Sequence, residues 1–293
     1  MATLNVESIS TTDIINVANT LTITKPTGLE VGDLMVAYLG LWSGGSASWN
    51  TLSGWTEIAD VEGTEGAGED PCIAVQVKIA DSGDVAASNF TFTHGLGTLA
   101  SGGCILRVSN PDAVNIPGDF ETSYSAVNTS SISFSVSLDP GTDDCLVIYG
   151  IACMKTSSAI TLGAITTTPS QTITNAYNDS FSNVDYQAMR VGYNIQTAQT
   201  AVTAYASTAS DVSVNHVGVV VAIRPNHPSS GTVSLLDTTT DFYAPTASAD
   251  TNGSATLLET DTTIQEPTGK GNSPTQWTNE ADTDTTWTNE ASL

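Results

Sequence analysis

Three uncharged apolar runs constrain the fold of this chain more than any other feature. They cover residues 34–41, 145–153 and 217–223. Each is far shorter than the roughly 18 residues of a membrane span, and the first two directly follow the turn residues Gly32-Asp33 and Asp143-Asp144. Short apolar runs of this kind are typical of strands buried on both faces. We therefore predict three strands at sheet centres, with a neighbouring subunit as one candidate cover for their second faces.

Between these runs, apolar and polar residues alternate. The alternating segments include residues 73–80, 90–93, 131–138 and 189–195, and a period of two marks a half-buried strand. No stretch keeps a helical period over two turns, so we expect almost no helix. About eleven strands, with turn residues between them, predict an all-β fold, an antiparallel β-sandwich that is jelly-roll-like. We assign it to residues 1–225, with residues 1–20 as an edge strand or docking arm.

The charge balance excludes several classes of partner. The chain has 31 acidic and 7 basic residues, a net charge of −24. Without a basic stripe, direct binding of nucleic acid is not expected, and no apolar run is long enough for membrane insertion. The N-terminal residues lack the basic and apolar parts of a signal peptide. The four cysteines lie in apolar segments without metal-binding spacing, which indicates buried free thiols.

The composition changes after residue 225. Residues 226–293 contain ten acids and one lysine. The sequence Leu-Leu-Asp-Thr at 235–238 recurs 22 residues later as Leu-Leu-Glu-Thr at 257–260, and a Pro-Thr pair follows both copies at the same offset. The sequence Trp-Thr-Asn-Glu occurs twice, at 277–280 and 287–290. Repeats this short cannot bury a core alone. We therefore predict an extended C-terminal tail that is either disordered in isolation or lies along another surface.

Motifs for catalysis are missing from the sequence. It contains no GxSxG, HExxH or GxGxxG pattern and no phosphate-binding loop with Lys-Ser/Thr. We expect the three histidines, at positions 94, 216 and 227, to lie at the surface or at strand ends. The prediction is accordingly that the protein is not an enzyme and requires no cofactor.

Calcium is the one metal for which the sequence offers candidate ligands. Glu62, Glu65, Glu69 and Asp70 lie in or beside an acidic, glycine-rich loop, and carboxylate oxygens are the ligands that Ca²⁺ prefers. The spacing of an EF-hand is missing. A solvated loop tip is therefore the alternative, and we favour it.

Two groups of side chains are candidates for binding a partner. Trp42 and Trp49 flank a Gly/Ser loop, where exposed rings would stack on a glycan. Burial in the core is the alternative that we favour, because Trp is highly buried on average. In the tail, Trp277 and Trp287 have no local core. We predict that they anchor the chain to a partner together with the leucines of the repeats, which are Leu235, Leu236, Leu257 and Leu258.

A series of short motifs resembles a pattern in virion proteins of tailed bacteriophages. A Pro-Thr-Gly turn at 26–28 leads to Gly-Asp-Leu at 32–34, followed by Gly-Trp-Thr at 54–56 and Lys-Ile-Ala at 78–80. Residues 217–225 are similar to the last strand of the same domain, so the resemblance covers residues 20–225. The Trp-Thr-Asn-Glu repeats are similar to repeats near the ends of phage tail and fibre proteins. The resemblance implies a β-sandwich structural component of a virion, with no catalytic residues.

The residues and the resemblance together favour a non-enzymatic virion structural protein, as a fibre, a tail appendage or a capsid decoration. We expect synthesis in the host cytoplasm without a signal peptide and location in the virion. Residues 226–293 would anchor the sandwich to copies of itself and to other virion proteins. The alternative is a carbohydrate-binding receptor-recognition module that contacts a host surface glycan. A polysaccharide-degrading enzyme on a jelly-roll scaffold rests on fold analogy alone.

Overall fold

The computed structural model describes residues 4–17, 19–43, 48–63, 70–111, 119–129, 131–138, 144–155, 160–182, 186–197, 201–207, 214–225, 233–236, 255–258, 276–279 and 286–288. The chain divides into two compact units. One covers residues 2–226 and is called the body. The other consists chiefly of residues 227–293 and is called the tail.

The described residues of the body form sixteen strands and one short helix. The first half contains β1 (Asn5–Val17), β2 (Thr20–Thr24), β3 (Leu34–Ser43), β4 (Trp49–Asn50), β5 (Thr56–Glu62), β6 (Asp70–Ile79), α1 (Ser82–Ala86), β7 (Asn89–His94) and β8 (Leu99–Ser109). The second half contains β9 (Asp119–Thr129), β10 (Ser131–Leu138), β11 (Cys145–Lys155), β12 (Thr166–Thr168), β13 (Thr174–Ser182), β14 (Tyr186–Gln196), β15 (Val202–Ser207) and β16 (Val214–Ile223). The prediction of about eleven strands was therefore too low.

The body strands form four antiparallel sheets. The first large sheet has the order β1-β8-β3-β6-β5, and the first small sheet has the order β2-β7-β4. The second large sheet has the order β9-β16-β11-β14-β13, and the second small sheet has the order β10-β15-β12. The predicted all-β, antiparallel sandwich is confirmed. The prediction that the N-terminal segment is an edge strand is also confirmed, because β1 lies at one end of its sheet.

The second half of the body repeats the first half strand for strand. Adding eight to each strand number of the first two sheets gives the order of the second two sheets. In both halves, eight strands in two sheets have a jelly-roll-like order, except that β5 and β13 extend the large sheets beside β6 and β14. Even an irregularity recurs: the ladder of β5 with β6 shifts at Ile58, and the ladder of β13 with β14 shifts at Ala176. The body therefore contains the same eight-stranded topology twice.

Three hydrophobic clusters fill the spaces between the four sheets. The two large sheets pack face to face, and each small sheet covers the outer face of one large sheet. Because side chains alternate across a strand, β3 contributes Val36 and Tyr38 to the central cluster and Met35 and Leu39 to an outer cluster. The prediction that the apolar runs are buried on both faces is confirmed. The chain's own sheets cover them, so these faces need no neighbouring subunit.

Buried polar groups on the large sheets bond across the central cluster. The Tyr38 hydroxyl donates to the carbonyl oxygen of Ile148 at 3.0 Å, and Trp42 Nε1 donates to the carbonyl oxygen of Cys153 at 2.8 Å. A buried donor without an acceptor costs about 1–3 kcal/mol, and these two bonds avoid that cost. They also fix how the two halves are aligned.

Two sequence expectations for the body were wrong. Strand β6 was predicted to be half-buried, but Gln76 is fully buried. Its amide is satisfied because Nε2 donates to the carbonyl oxygen of Asn50 and Oε1 accepts from the backbone N–H of Leu52. The histidines were predicted at the surface or at strand ends, yet His216 lies within β16 and is buried. His94 ends β7 as predicted but is also buried; His227 lies outside the described residues.

The tail contains four described strands in one sheet. They are β17 (Val233–Leu236), β18 (Ala255–Leu258), β19 (Gln276–Asn279) and β20 (Thr286–Thr288), in that order. Strands β17, β18 and β19 are parallel, and β20 is antiparallel to β19. Backbone pairing between the repeats is an arrangement that the sequence analysis did not consider.

Candidate interaction sites

The first motif of the phage resemblance forms a tight structural turn. Gly28 and Gly32 have φ angles of +70° and +95°, which glycine adopts without strain. The Asp33 carboxylate accepts from the backbone N–H of Glu30 at 2.8 Å and from Arg107 Nε at 2.6 Å. The Asp33 backbone carbonyl also accepts from the backbone N–H of Ala80 at 2.8 Å. The turn is thereby tied to β8 and to the end of β6.

The second and third motifs lie beside the same turn, because the backbone of Ala80 in Lys-Ile-Ala bonds to Gly32 and Asp33 and a Cβ at Gly54 would lie 3.4 Å from Lys78 Nζ. Gly54 has a φ angle of +82°, and the ring of Trp55 stands edge-on to Phe90 and Phe92 at centroid distances of 5.5 and 5.3 Å. Lys78 Nζ lies 2.7 Å from Asp84 Oδ1. These motif residues are therefore engaged in folding contacts of the first half of the body.

Lys78 and α1 form a compact ion-pair network. Asp81 caps α1, because its side chain accepts from the backbone N–H of Asp84. The Asp84 side chain in turn accepts from the backbone N–H of Asp81, and the two bonds form a capping box. Lys78 Nζ also lies 3.1 Å from Asp81 Oδ2. Burial by itself lowers the pKa of Lys78, but the hydrogen bonds to Asp84 and Asp81 outweigh it and the pKa is raised. The ammonium group therefore stays charged and is held in place.

The candidate glycan residues Trp42 and Trp49 are both in the core. Their exposed fractions are 2% and 3%. Trp42 and Met189 both pack over Gly40 in the central cluster, while Trp49 stands edge-on to His94 at 5.3 Å. A sugar ring has no access to either indole face in this structure, which corrects the expectation of a stacking platform. Core packing, the alternative that we favoured, accounts for both side chains, although that alternative had placed Trp55 at the end of the sandwich and one of the other two partly exposed.

Burial also determines the chemistry of His94. Its side chain is 1% exposed, and its pKa is lowered by that burial. A neutral imidazole is therefore the favoured form in the folded protein. Its packing against Trp49 makes it a core residue of the first small sheet.

The sequence analysis missed a carboxylate–thiol pair beneath the first small sheet. Asp60 Oδ1 accepts from Cys72 Sγ at 3.0 Å, and Asp60 Oδ2 accepts from the backbone N–H of Trp49 at 2.9 Å. Burial raises the pKa of Asp60. Burial, followed by the charge of Asp60, raises the pKa of the Cys72 thiol well above its usual range. A protonated thiol is a poor nucleophile. The hydrogen bonds of the pair join β5, β6 and β4.

The four proposed calcium ligands fall partly outside the described residues. Glu62 ends β5 and Asp70 begins β6, while Glu65 and Glu69 lie in the undescribed segment 64–69. In the part of the chain that the structure describes, no group of three or more His, Cys, Asp or Glu side chains could hold a metal ion. The calcium set therefore stays a prediction.

The structure brings the candidate anchoring residues of the tail together in pairs. Leu235 is the register partner of Leu257, and Leu236 is the register partner of Leu258. Trp277 and Trp287 are partners across the antiparallel pair β19–β20. The sequence signal for this arrangement was the repeat itself, because equal segments at equal offsets can pair in register.

Comparisons with known proteins give no family for this chain. No protein-family model, curated protein or solved structure matches it. Among the described residues, the search for membrane-spanning helices finds none of sufficient length and apolar character.

Proposed function

We propose that this chain is a non-enzymatic structural protein of a bacteriophage virion, as a fibre, a tail appendage or a capsid decoration. The body serves as a rigid block, and the tail anchors it to neighbouring subunits. The proposal starts from the motif resemblance over residues 20–225. It is supported by the contacts of Asp33, Trp55 and Lys78, which place the motif residues in the scaffold. A pattern that builds a scaffold fits a structural component.

The observation that carries the anchoring role is the in-register ladder between the tail repeats. Segments that pair with one another through backbone hydrogen bonds use the same geometry that strand addition uses between proteins. All fifteen residues of the four tail strands are uncharged, although the tail contains ten acids. Charge-free strands can enter a sheet without burying a carboxylate.

The test is incorporation of tail variants into particles. We expect deletion of residues 227–293 to lower the number of copies per particle, measured by quantitative mass spectrometry of purified virions. Unchanged occupancy would exclude the anchoring role. The thermal unfolding of the deletion variant serves as the folding control, because the body has its own core.

A point variant separates strand pairing from the mere presence of a tail. Leu257→Pro removes a backbone donor from β18 and should reduce occupancy. The matched control is Ala247→Pro, which lies between β17 and β18 in sequence and outside both; it should leave occupancy unchanged. Equal effects of the two variants would contradict a role for the strands.

The contacts of the described residues do not support the carbohydrate-binding alternative. Its two Trp side chains are buried, and no contact of the described residues favours a glycan over a protein partner. Binding of the intact protein to a glycan array would reopen that alternative.

A further inference from the structure

The tail strands follow one sequence period. Val233 pairs with Ala255, and Thr256 pairs with Thr278. Both offsets are 22 residues, which is also the distance between the two Leu-Leu-acid-Thr repeats. Each advance of 22 residues therefore places a strand beside the previous one, parallel and in register.

Strands β17 and β18 show that the repeat pairs with itself. The first contains Ser-Leu-Leu of one copy and the second contains Thr-Leu-Leu of the other. Leucine is placed at the register position of leucine at two successive positions. Like-on-like, in-register stacking is the arrangement by which identical segments of separate chains also pair.

Among the described strands of the tail, β17 lies at one end of the sheet, while β18 and β19 each have a neighbour on both sides. A strand at the end of a sheet presents a row of backbone N–H and C=O groups to a further strand. Proteins usually protect such an edge with a charge or a proline. The sequence of β17, Val-Ser-Leu-Leu, contains neither.

We propose that β17 pairs with β17 of a second copy of this chain, so that two tail sheets join into one. The inference deepens the proposed anchoring function and rests on it. A second copy is the occupant because the repeat already pairs in register with its own sequence inside the chain, there in parallel, and identical segments pair in antiparallel as well as parallel form. A contact between identical edges closes on itself as a two-fold dimer. Since this two-fold axis is perpendicular to the sheet, the two β17 strands run antiparallel.

Charge sets the condition under which this dimer forms. Each chain has a net charge of −24, so two copies repel at long range. Salt screens that repulsion over about 10 Å at 0.1 M. We therefore expect the dimer fraction to rise with sodium chloride concentration.

The experiment is sedimentation velocity of the full chain over a range of protein and sodium chloride concentrations. The wild type should form a dimer, and Leu235→Lys should abolish it because a charge on an edge strand opposes pairing. Thr286→Lys is the matched control. It places the same charge on β20, at the other end of the tail sheet, and should leave the dimer intact. A monomeric wild type, a dimeric Leu235→Lys or a monomeric Thr286→Lys would each overturn the proposal.

Hydrogen exchange distinguishes a blocked edge from a melted tail sheet. In the wild type, amide protection of residues 233–236 should increase with protein concentration. In Leu235→Lys this increase should be lost, while residues 255–258 keep the protection that they have in dilute wild type. Loss of protection at 255–258 would mean that the substitution melts the sheet. In that case Ser234→Lys repeats the test at the neighbouring position, and a dimer of that variant would overturn the proposal.

Particle incorporation separates failure of this inference from failure of the proposed function. If tail deletion lowers occupancy but the wild type stays monomeric in solution, the tail anchors to a different protein and self-pairing is wrong. If the wild type dimerises through β17 but tail deletion leaves occupancy unchanged, self-pairing holds and the anchoring function is wrong.

Discussion

A methyl group added at Gly150 tests how the two halves of the body pack. Gly150 lies in β11 on the face directed at the first large sheet. A Cβ there would lie 2.4 Å from Tyr38 Cδ1, 2.5 Å from Tyr38 Cε1 and 3.0 Å from Ile73 Cδ1. The Tyr38 ring would have to shift by about 1 Å to restore ordinary carbon–carbon contact at 3.5–4.0 Å. It cannot shift freely, because it is fully buried and its hydroxyl is bonded to Ile148.

Two opposing effects set the size of the change. Replacing glycine in a strand interior with alanine relieves an entropic cost of about 0.5–1 kcal/mol. Overpacking a well-packed core costs about 1–3 kcal/mol. The clash therefore outweighs the backbone gain, and we expect Gly150→Ala to lower the free energy of unfolding by about 1–2 kcal/mol.

The assay is urea unfolding followed by Trp fluorescence and circular dichroism. Gly97→Ala is the control, because no atom lies within 4 Å of its added Cβ and it has no positive φ angle; it should stay within about 0.5 kcal/mol of the wild type. In the double variant with Tyr38→Leu, the removed ring leaves room for the methyl group. The two changes should therefore be coupled by about 1 kcal/mol or more. A Gly150→Ala protein as stable as the wild type, or additive effects in the double variant, would refute the packing described.

Three further predictions address other groups of the body. Lys78→Met should lower the free energy of unfolding by about 1–3 kcal/mol, because the Asp84 carboxylate loses its charged donor; Lys78→Arg, which keeps the charge, should lose less in the same urea assay. Because burial lowers the pKa of His94, the unfolded chain binds the proton first. The contribution of the buried, neutral His94 to the free energy of unfolding is therefore complete above about pH 6.5 and is lost as the pH falls through the lower folded-state pKa. The melting temperature of His94→Phe should depend less on pH between pH 7 and 5 than that of the wild type, and parallel profiles of the two proteins would contradict this. The four cysteines are free and buried, so DTNB should label none in the native protein and four after denaturation, whereas rapid native labelling would place a thiol at the surface.

The sequence was sufficient to predict strands wherever one physical rule dominates. The uncharged runs that form β3, β11 and β16 carry apolar side chains on both faces, and both faces are buried. It was insufficient where a polar side chain is buried through a distant partner. Gln76 occupies an alternating polar position, and only its bonds to Asn50 and Leu52 account for its burial. Local alternation carries no information about a segment that folds over it from elsewhere in the chain.

In the tail, the sequence was sufficient to identify the interacting residues but not their partners. The repeats could be read directly from the sequence, and their Leu and Trp residues were identified as the interacting positions. Their partners could not be identified. A 22-residue spacing is compatible with separate anchors on an outside surface and with strands that pair with one another, and only the register of Leu235 with Leu257 distinguishes the two.

The repeated topology could not be predicted from the sequence because equivalent positions share a location rather than a residue type. When the ladder shifts at Ile58 and Ala176 are matched, Leu34 and Val36 in β3 correspond to Leu146 and Ile148 in β11, whereas Tyr38 corresponds to Gly150. That mismatch has a physical reason.

If both halves carried tyrosine at this position, two rings would compete for the space that one ring now fills, above the bare backbone of Gly150. A large residue on one half and glycine on the other favours pairing of unlike halves over pairing of like halves. Since that pairing and the two small sheets already cover the apolar faces of the large sheets, association with further copies has to use strand edges, polar faces or the tail. The difference between the two halves at this position and the location of the paired repeats in the tail are therefore consistent with each other.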